Sequence, residues 1–215
     1  MNYQRLYEYR FRDIDQTTRA EAWVEIAKHV HEELGRPERV LDPAAGRGEF
    51  INASPSPERW AVDQVAYEEG THDPAVKVMV SDIFEADLPA EYFDGVWISN
   101  FLEHLLSQEA VATFLEKMHA SLRPGGRIAI MGPNFRYCAN EYFDCADHTL
   151  IFTHVAIAEH LYAAGFEPMR IVPRFLPFSF RGRLPAGPGL IRRYLQTPQA
   201  WPLLGKQFLV IGQRT

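Results

Sequence analysis

Three acidic residues, each following a short apolar run, are the first candidates for chemistry in this sequence. Asp42 follows Arg39-Val40-Leu41, Asp63 follows Trp60-Ala61-Val62, and Asp82 follows Val76-Lys77-Val78-Met79-Val80-Ser81. The first acid leads straight into Pro43-Ala44-Ala45-Gly46-Arg47-Gly48, a turn of small residues ahead of a helix start near Glu49. A turn of this kind brings backbone close to a ligand and aims free N–H groups at it, which suits a nucleotide-like cofactor. Taken alone it is equally well explained as a structural turn. Asp63 lies 21 residues after Asp42, at a strand end where a carboxylate can accept hydrogen bonds from both hydroxyls of a ribose. Any one of the acids also reads as a solvated surface group. Three of them on the carboxyl edge of one open α/β sheet point to a ligand there. Clustered acids repel phosphates and attract a sulfonium cation, so S-adenosylmethionine is favoured over a phosphate-bearing dinucleotide.

Two histidines are candidates for moving a proton: His104, beside Glu103 just after the fourth strand, and His148 in Asp144-Cys145-Ala146-Asp147-His148-Thr149. His148 is the preferred general base, with Asp147 or Asp144 to orient its ring. The bland reading of each is a loop or helix residue bonded to backbone. Asp144, Asp147 and His148 could alternatively ligate Mg²⁺, but two carboxylates and one imidazole are a poor donor set for that ion. No metal is expected.

These residues need a framework to position them. Apolar residues at helical spacing predict an opening amphipathic helix over residues 15–34, ended by Gly35. Buried strands are expected at Arg39–Asp42, Trp60–Asp63, Val76–Val80, Phe93–Asn100 and Arg127–Gly132, with two more at Pro168–Pro173 and Gln207–Gly212. Between them, Leu102, Leu105, Leu106, Val111, Phe114, Leu115, Met118 and Leu122 predict a helix over 102–122 that Arg123-Pro124-Gly125-Gly126 stops. A further helix is expected from Thr153 to Ala164, ended by Gly165. The fold class is therefore α/β: a seven-stranded, mostly parallel Rossmann-like sheet with an antiparallel last strand and helices on both faces. The 215 residues suit one domain. It would comprise a helical segment 1–36, a cofactor-binding core 37–172, and an aromatic, Pro-rich insert 174–205 between the last two strands.

In order and spacing, Val40-Leu41-Asp42-Pro43-Ala44-Ala45-Gly46-Arg47-Gly48, Ala61-Val62-Asp63, Ser81-Asp82-Ile83, Phe93 to Leu105 and Leu122 to Ile128 resemble the class I S-adenosylmethionine-dependent methyltransferases of the small-molecule type. The resemblance covers roughly residues 39–172. It implies that the loop of Asp42, Ala44, Gly46 and Gly48 holds the amino acid end of the cofactor, Asp63 with Gln64 the ribose, and Asp82 with Ile83 the adenine. Ser99, Asn100 and Phe101 would line the methionine side. It further implies methyl transfer to a small-molecule acceptor, such as a sugar, a nucleotide-linked sugar or another secondary metabolite. Transfer to O or N would be by in-line displacement, with S-adenosylhomocysteine as product and Glu103, His104 and His148 as catalytic candidates. The chain departs from the pattern at Ala44, where a glycine is usual, and in the shortness of its first core helix.

Aromatic residues on the late loops, among them Phe135, Tyr137, Tyr142, Phe143, Phe175, Phe178, Phe180, Tyr194 and Trp201, either wall an acceptor site or build a small core under a long loop. Arg181, Arg183, Arg192 and Arg193 suggest an anionic acceptor. The net charge of −6 argues against nucleic acid as acceptor. The first ten residues lack the apolar core of a signal peptide, no apolar run is long enough to span a bilayer, and the two cysteines, Cys138 and Cys145, read as reduced thiols. A cytoplasmic protein without stable membrane insertion is expected, and a homodimer is compatible with the resemblance. Two rivals stand against methyl transfer: a catalytically silent methyltransferase-like binding module, and an NAD(P)-dependent oxidoreductase, whose third fingerprint glycine would fall at Ile51.

Overall fold

The computed structural model describes residues 5, 6, 9, 10, 12, 15–177 and 187–215. Phe178, Phe180, Arg181 and Arg183 lie outside the described residues. Helix α1 (Gln16–Glu33) begins where the Asp15 carboxylate accepts the amides of Thr17 and Thr18, and it buries Ala22, Trp23, Ile26, Ala27 and Val30 along one stripe. Then come β1 (Arg39–Asp42), the short α2 (Glu49–Ala53), β2 (Glu58–Asp63), β3 (Val76–Val80) and β4 (Phe93–Ser99). Helix α3 (Gln108–Ser121), β5 (Leu122–Pro133), α4 (Phe135–Cys138), α5 (His154–Ala163) and β6 (Phe166–Val172) follow, and α6 (Pro188–Leu195), α7 (Trp201–Leu204) and β7 (Gln207–Arg214) close the chain.

The seven strands form one sheet in the order β3-β2-β1-β4-β5-β7-β6. Neighbours from β3 through β5 pair in parallel, whereas β7 runs antiparallel to both β5 and β6. The last strand is antiparallel as expected, yet it is an interior strand inserted between β5 and β6, and β6 takes the edge. Both faces are covered. Successive residues of β5 alternate between two apolar layers: Ala129 and Met131 join the layer of α1, while Ile128 and Ile130 join that of α3 and α5. In β7, Leu209 and Ile211 alternate with Phe208 and Val210 in the same way.

One expected helix is shortened. Residues 102–104 form a single 3₁₀ turn, Leu105 is extended, and α3 starts only at Gln108, with the Ser107 hydroxyl accepting the Ala110 amide at 3.1 Å. The reason is tertiary: the Glu103 carbonyl accepts the amides of Thr149 and Leu150 at 2.9 and 3.1 Å, and the Leu105 carbonyl accepts the Thr149 hydroxyl. A helix running on through Leu105 needs those acceptors for its own amides. Leu106, counted in the apolar stripe, is 82% exposed. The segment Arg123-Pro124-Gly125-Gly126, read as a helix stop, is the opening of β5.

Among the described residues the aromatics of the insert build core. Phe175 and Trp201 are buried in the α1 layer with Ile191 and Leu195, and the His29 ring stacks on Phe175 at 5.4 Å. Arg192, one of the arginines that suggested an anionic acceptor, is occupied by a two-pronged ion pair with Glu25, both contacts at 2.9 Å.

Candidate functional site

Because β1 to β4 are parallel neighbours, Asp42, Asp63, Ser99 and the Ser81-Asp82 turn arrive at the same carboxyl edge of the sheet. The turn after β1 is held to the end of β2: Ala45 donates to the Val62 carbonyl at 3.0 Å, and Gly46 donates to Asp63 Oδ2 at 2.8 Å. Asp63 Oδ1 accepts the Val65 amide at 2.8 Å. Each oxygen keeps a lone pair for a further donor. Burial pushes the Asp63 carboxyl above its usual range, with the two amides pulling the other way. Asp42 is buried, and burial, followed by the nearby Asp63 and Glu49 carboxylates, pushes its pKa up to about 8, against the Ala44 amide it accepts at 3.3 Å.

Gly46 and Gly48 adopt φ of +52° and +78°. A Cβ on Gly46 would meet nothing closer than the Tyr67 hydroxyl at 4.0 Å, so the turn leaves room over this residue. A Cβ on Gly48 would sit 2.6 Å from His72 Cδ2. Gly48→Ala combines that clash with a left-handed backbone and is expected to cost about 2–3 kcal/mol, read as a lowered midpoint in urea. Adding His72→Ala should recover the clash and leave ~1 kcal/mol for the backbone. If the double variant is no better than the single one, the assignment of the penalty to His72 is wrong.

Asp82 is exposed and its side chain accepts the Phe84 amide at 2.9 Å, while Ile83 is 6% exposed within the α3 layer. Gln64 is exposed beside Asp63. After β4, Asn100 turns the chain at φ +49°, its amide donating to the Met131 carbonyl at 2.9 Å, and Phe101 packs on Phe114 with ring centres 5.0 Å apart. Among the described residues the hydrogen bonds accepted by the Asp42 and Asp63 side chains come from backbone amides, and the set suits a ribose. The residues present fit S-adenosylmethionine.

Directly beyond Phe101 a second constellation forms. Glu103 is 3% exposed, and burial raises its carboxyl pKa. His104 Nδ1 lies 3.0 Å from the Asp147 backbone oxygen and 3.4 Å from its carboxylate. The rings of His104 and His148 are 5.0 Å apart, and Tyr142 packs edge-on against His148 at 4.7 Å. Burial, with His104 beside it, lowers the His148 pKa to about 4, so its imidazole is neutral near pH 7. Of the two acids expected to orient His148, Asp144 and Asp147, the latter is ion-paired with Arg10 and also faces His104, and those partners outweigh burial to hold its carboxyl below the usual range. Sequence reasoning missed Arg10, which stands 137 residues from Asp147 and carries no local signal of that role. It also missed Asn134, fully buried, whose amide donates to His154 Nδ1 at 2.9 Å and to the Pro173 carbonyl at 2.8 Å. Both cysteines are free thiols.

Comparison with known proteins follows this geometry. The family model described as a methyltransferase domain matches residues 34–130. An S-adenosylmethionine-dependent methyltransferase from Archaeoglobus fulgidus superposes with a TM-score of 0.69 at 22% identity, covering 99% of this chain and 100% of the other. A 1,6-didemethyltoxoflavin N1-methyltransferase from Burkholderia thailandensis, solved with its substrate and S-adenosylhomocysteine, gives 0.59 at 25% identity over 99% of this chain and 89% of the other. A possible histamine N-methyltransferase from Thermotoga maritima gives 0.67 at 15% identity over 97% and 94%. No curated protein sequence matches the chain.

Proposed function

The chain is a class I S-adenosylmethionine-dependent methyltransferase, and from that premise we propose that it methylates oxygen or nitrogen of a small-molecule acceptor lodged against Glu103, His104 and His148. The observation that carries this reading is the position of the cluster. It follows Asn100 and Phe101 at the end of β4, with Glu103 buried and His104 and His148 half-buried, a setting that suits a compact acceptor. The Burkholderia thailandensis relative, an N1-methyltransferase of 1,6-didemethyltoxoflavin, supports the same class of acceptor.

Bound S-adenosylmethionine supplies a methyl group already activated by its sulfonium. What the chain contributes is alignment, exclusion of water and removal of a proton. Asp63, with Gln64 beside it, holds the ribose; Asp82 and Ile83 border the adenine; the turn of Asp42, Ala44, Gly46 and Gly48 takes the amino acid end. Ser99, Asn100 and Phe101 border the methyl and align it with the acceptor. His148, neutral at working pH, accepts the acceptor proton, with Tyr142 packed on its ring and His104 fixed by Asp147.

The test is S-adenosylhomocysteine release with panels of hydroxyl- and amine-bearing small molecules, beside RNA and protein. A small molecule should support turnover, and its product should gain one methyl by mass. On that substrate His148→Ala should lower kcat by about 10²-fold or more with KM little changed. Turnover confined to RNA or protein, or S-adenosylhomocysteine binding with no turnover on any panel, would overturn the reading, the latter in favour of a silent binding module.

A further inference from the structure

We propose that Glu103, His104 and His148 together bind one divalent cation of the zinc class. Each offers one donor atom, and the three donor atoms lie within 4.8 Å of one another. The sequence separates Glu103 from His148 by 45 residues. They meet because Thr149 and Leu150 hydrogen-bond the Glu103 carbonyl, which lays residues 147–150 across the turn after β4. This set differs from Asp144, Asp147 and His148, the group weighed from sequence for Mg²⁺. In the fold Asp147 is ion-paired with Arg10, and Glu103 supplies the carboxylate instead.

Two features prepare the site for an ion. His104 presents Nδ1 to the Asp147 backbone oxygen at 3.0 Å, with the Asp147 carboxylate 3.4 Å away. That fixes the proton on Nδ1 and leaves the lone pair on Nε2, the second-sphere arrangement that metal-binding histidines adopt. Glu103 is 97% buried, taking its 3% exposure from the whole, and its Oε1 has no hydrogen-bond partner among the described residues. A buried carboxylate oxygen without a partner is costly, and a cation is the group that would satisfy it.

Two imidazoles and one carboxylate suit a borderline ion such as Zn²⁺ rather than Mg²⁺ or Ca²⁺, which prefer oxygen. Three protein ligands leave a coordination position open. That position takes the acceptor heteroatom and lowers the pKa of its proton, which leaves to water. This role, unlike the binding itself, rests on the methyl-transfer reading above, and with the ion in place His148 is a ligand and not the base.

The experiment uses the untagged full chain, dialysed against EDTA and then titrated with ZnCl₂ by calorimetry, with CoCl₂ absorption as the spectroscopic counterpart. One ion per chain is expected, with visible bands for cobalt of the intensity of a four- or five-coordinate centre. His148→Ala and Glu103→Gln should each weaken zinc binding by at least about tenfold, and Asp147→Asn should weaken it through His104. A Cys138→Ser/Cys145→Ser variant should bind as the wild type does. No saturable site, equal affinity in His148→Ala, or loss of the site in the cysteine variant overturns the inference. Metal-free thermal unfolding shows whether each variant is folded, and His104→Gln serves as the second ligand variant where Glu103→Gln is not. S-adenosylhomocysteine binding by the EDTA-treated chain reads on the methyltransferase site alone, so failure of that site and failure of the cation site give different results.

Discussion

Asp63→Ala is expected to weaken S-adenosylhomocysteine binding by about a hundredfold, ~2.7 kcal/mol. In the folded chain each Asp63 oxygen already accepts one backbone amide, from Gly46 and from Val65, at 2.8 Å. The carboxylate therefore does two things at once. It ties the turn after β1 to the end of β2, and on the proposed reading it offers its remaining lone pairs to a ribose. Removing it forfeits charge-assisted hydrogen bonds worth about 1.5–3 kcal/mol each and frees Gly46 at the centre of the turn. Asp63→Asn should fall between wild type and Ala, because one oxygen survives while the amide NH₂ confronts a backbone donor. Calorimetric titration of the three proteins decides the matter. A change under about threefold in the alanine variant would remove Asp63 from the cofactor site.

The second large effect concerns pH. Asp42 in the folded chain titrates at about 8 against an ordinary 3.8, because burial and the Asp63 and Glu49 carboxylates disfavour its charge. The native state thus holds a proton that the unfolded chain releases. The stability this contributes is complete below about pH 4 and is lost as pH rises towards 8, at ~1.4 kcal/mol per pH unit. His148 acts in the opposite sense. Lowered to about 4 from 6.5, it resists charging in the fold and so lowers stability as pH falls through that interval. The two nearly cancel between about 4 and 6.5, which leaves pH 6.5 to 8 as the window where Asp42 is seen alone against His148. Asp63 and Glu103, both pushed upward by burial, add to it in sign. Wild-type Tm should fall by roughly 3–6 °C per pH unit there. Asp42→Asn has nothing to titrate, so its profile should be flatter and should lie above the wild type by pH 8. Parallel profiles for the two proteins would show that Asp42 ionises normally in the fold.

Much of the framework was legible from local pattern. The strands at Arg39–Asp42 and Val76–Val80 and the short helix cut off before Ser54-Pro55 occupy the expected residues, because a buried parallel strand is a run of apolar residues and a proline pair ends a helix wherever it stands. The helix expected over 102–122 was legible only in its second half. Its first turn was taken by Thr149 and Leu150, hydrogen-bond donors that no window around Glu103 contains.

The sequence by itself determined the alternation of strands and helices, and with it the sheet edge where Asp42, Asp63 and Asp82 emerge, since strand ends follow from periodicities of two and 3.6 residues. It also pointed to the kind of cofactor, through acids at successive strand ends beside a small-residue turn. Only the tertiary structure decided that β7 enters between β5 and β6, that Phe175 and Trp201 serve the core under α1 rather than an acceptor, and that Arg10 pairs with Asp147. It alone assembled Glu103, His104 and His148. Each of these depends on which distant groups satisfy a buried carbonyl, ring or carboxylate. That competition is settled by burial across the whole chain, beyond the reach of neighbouring residues.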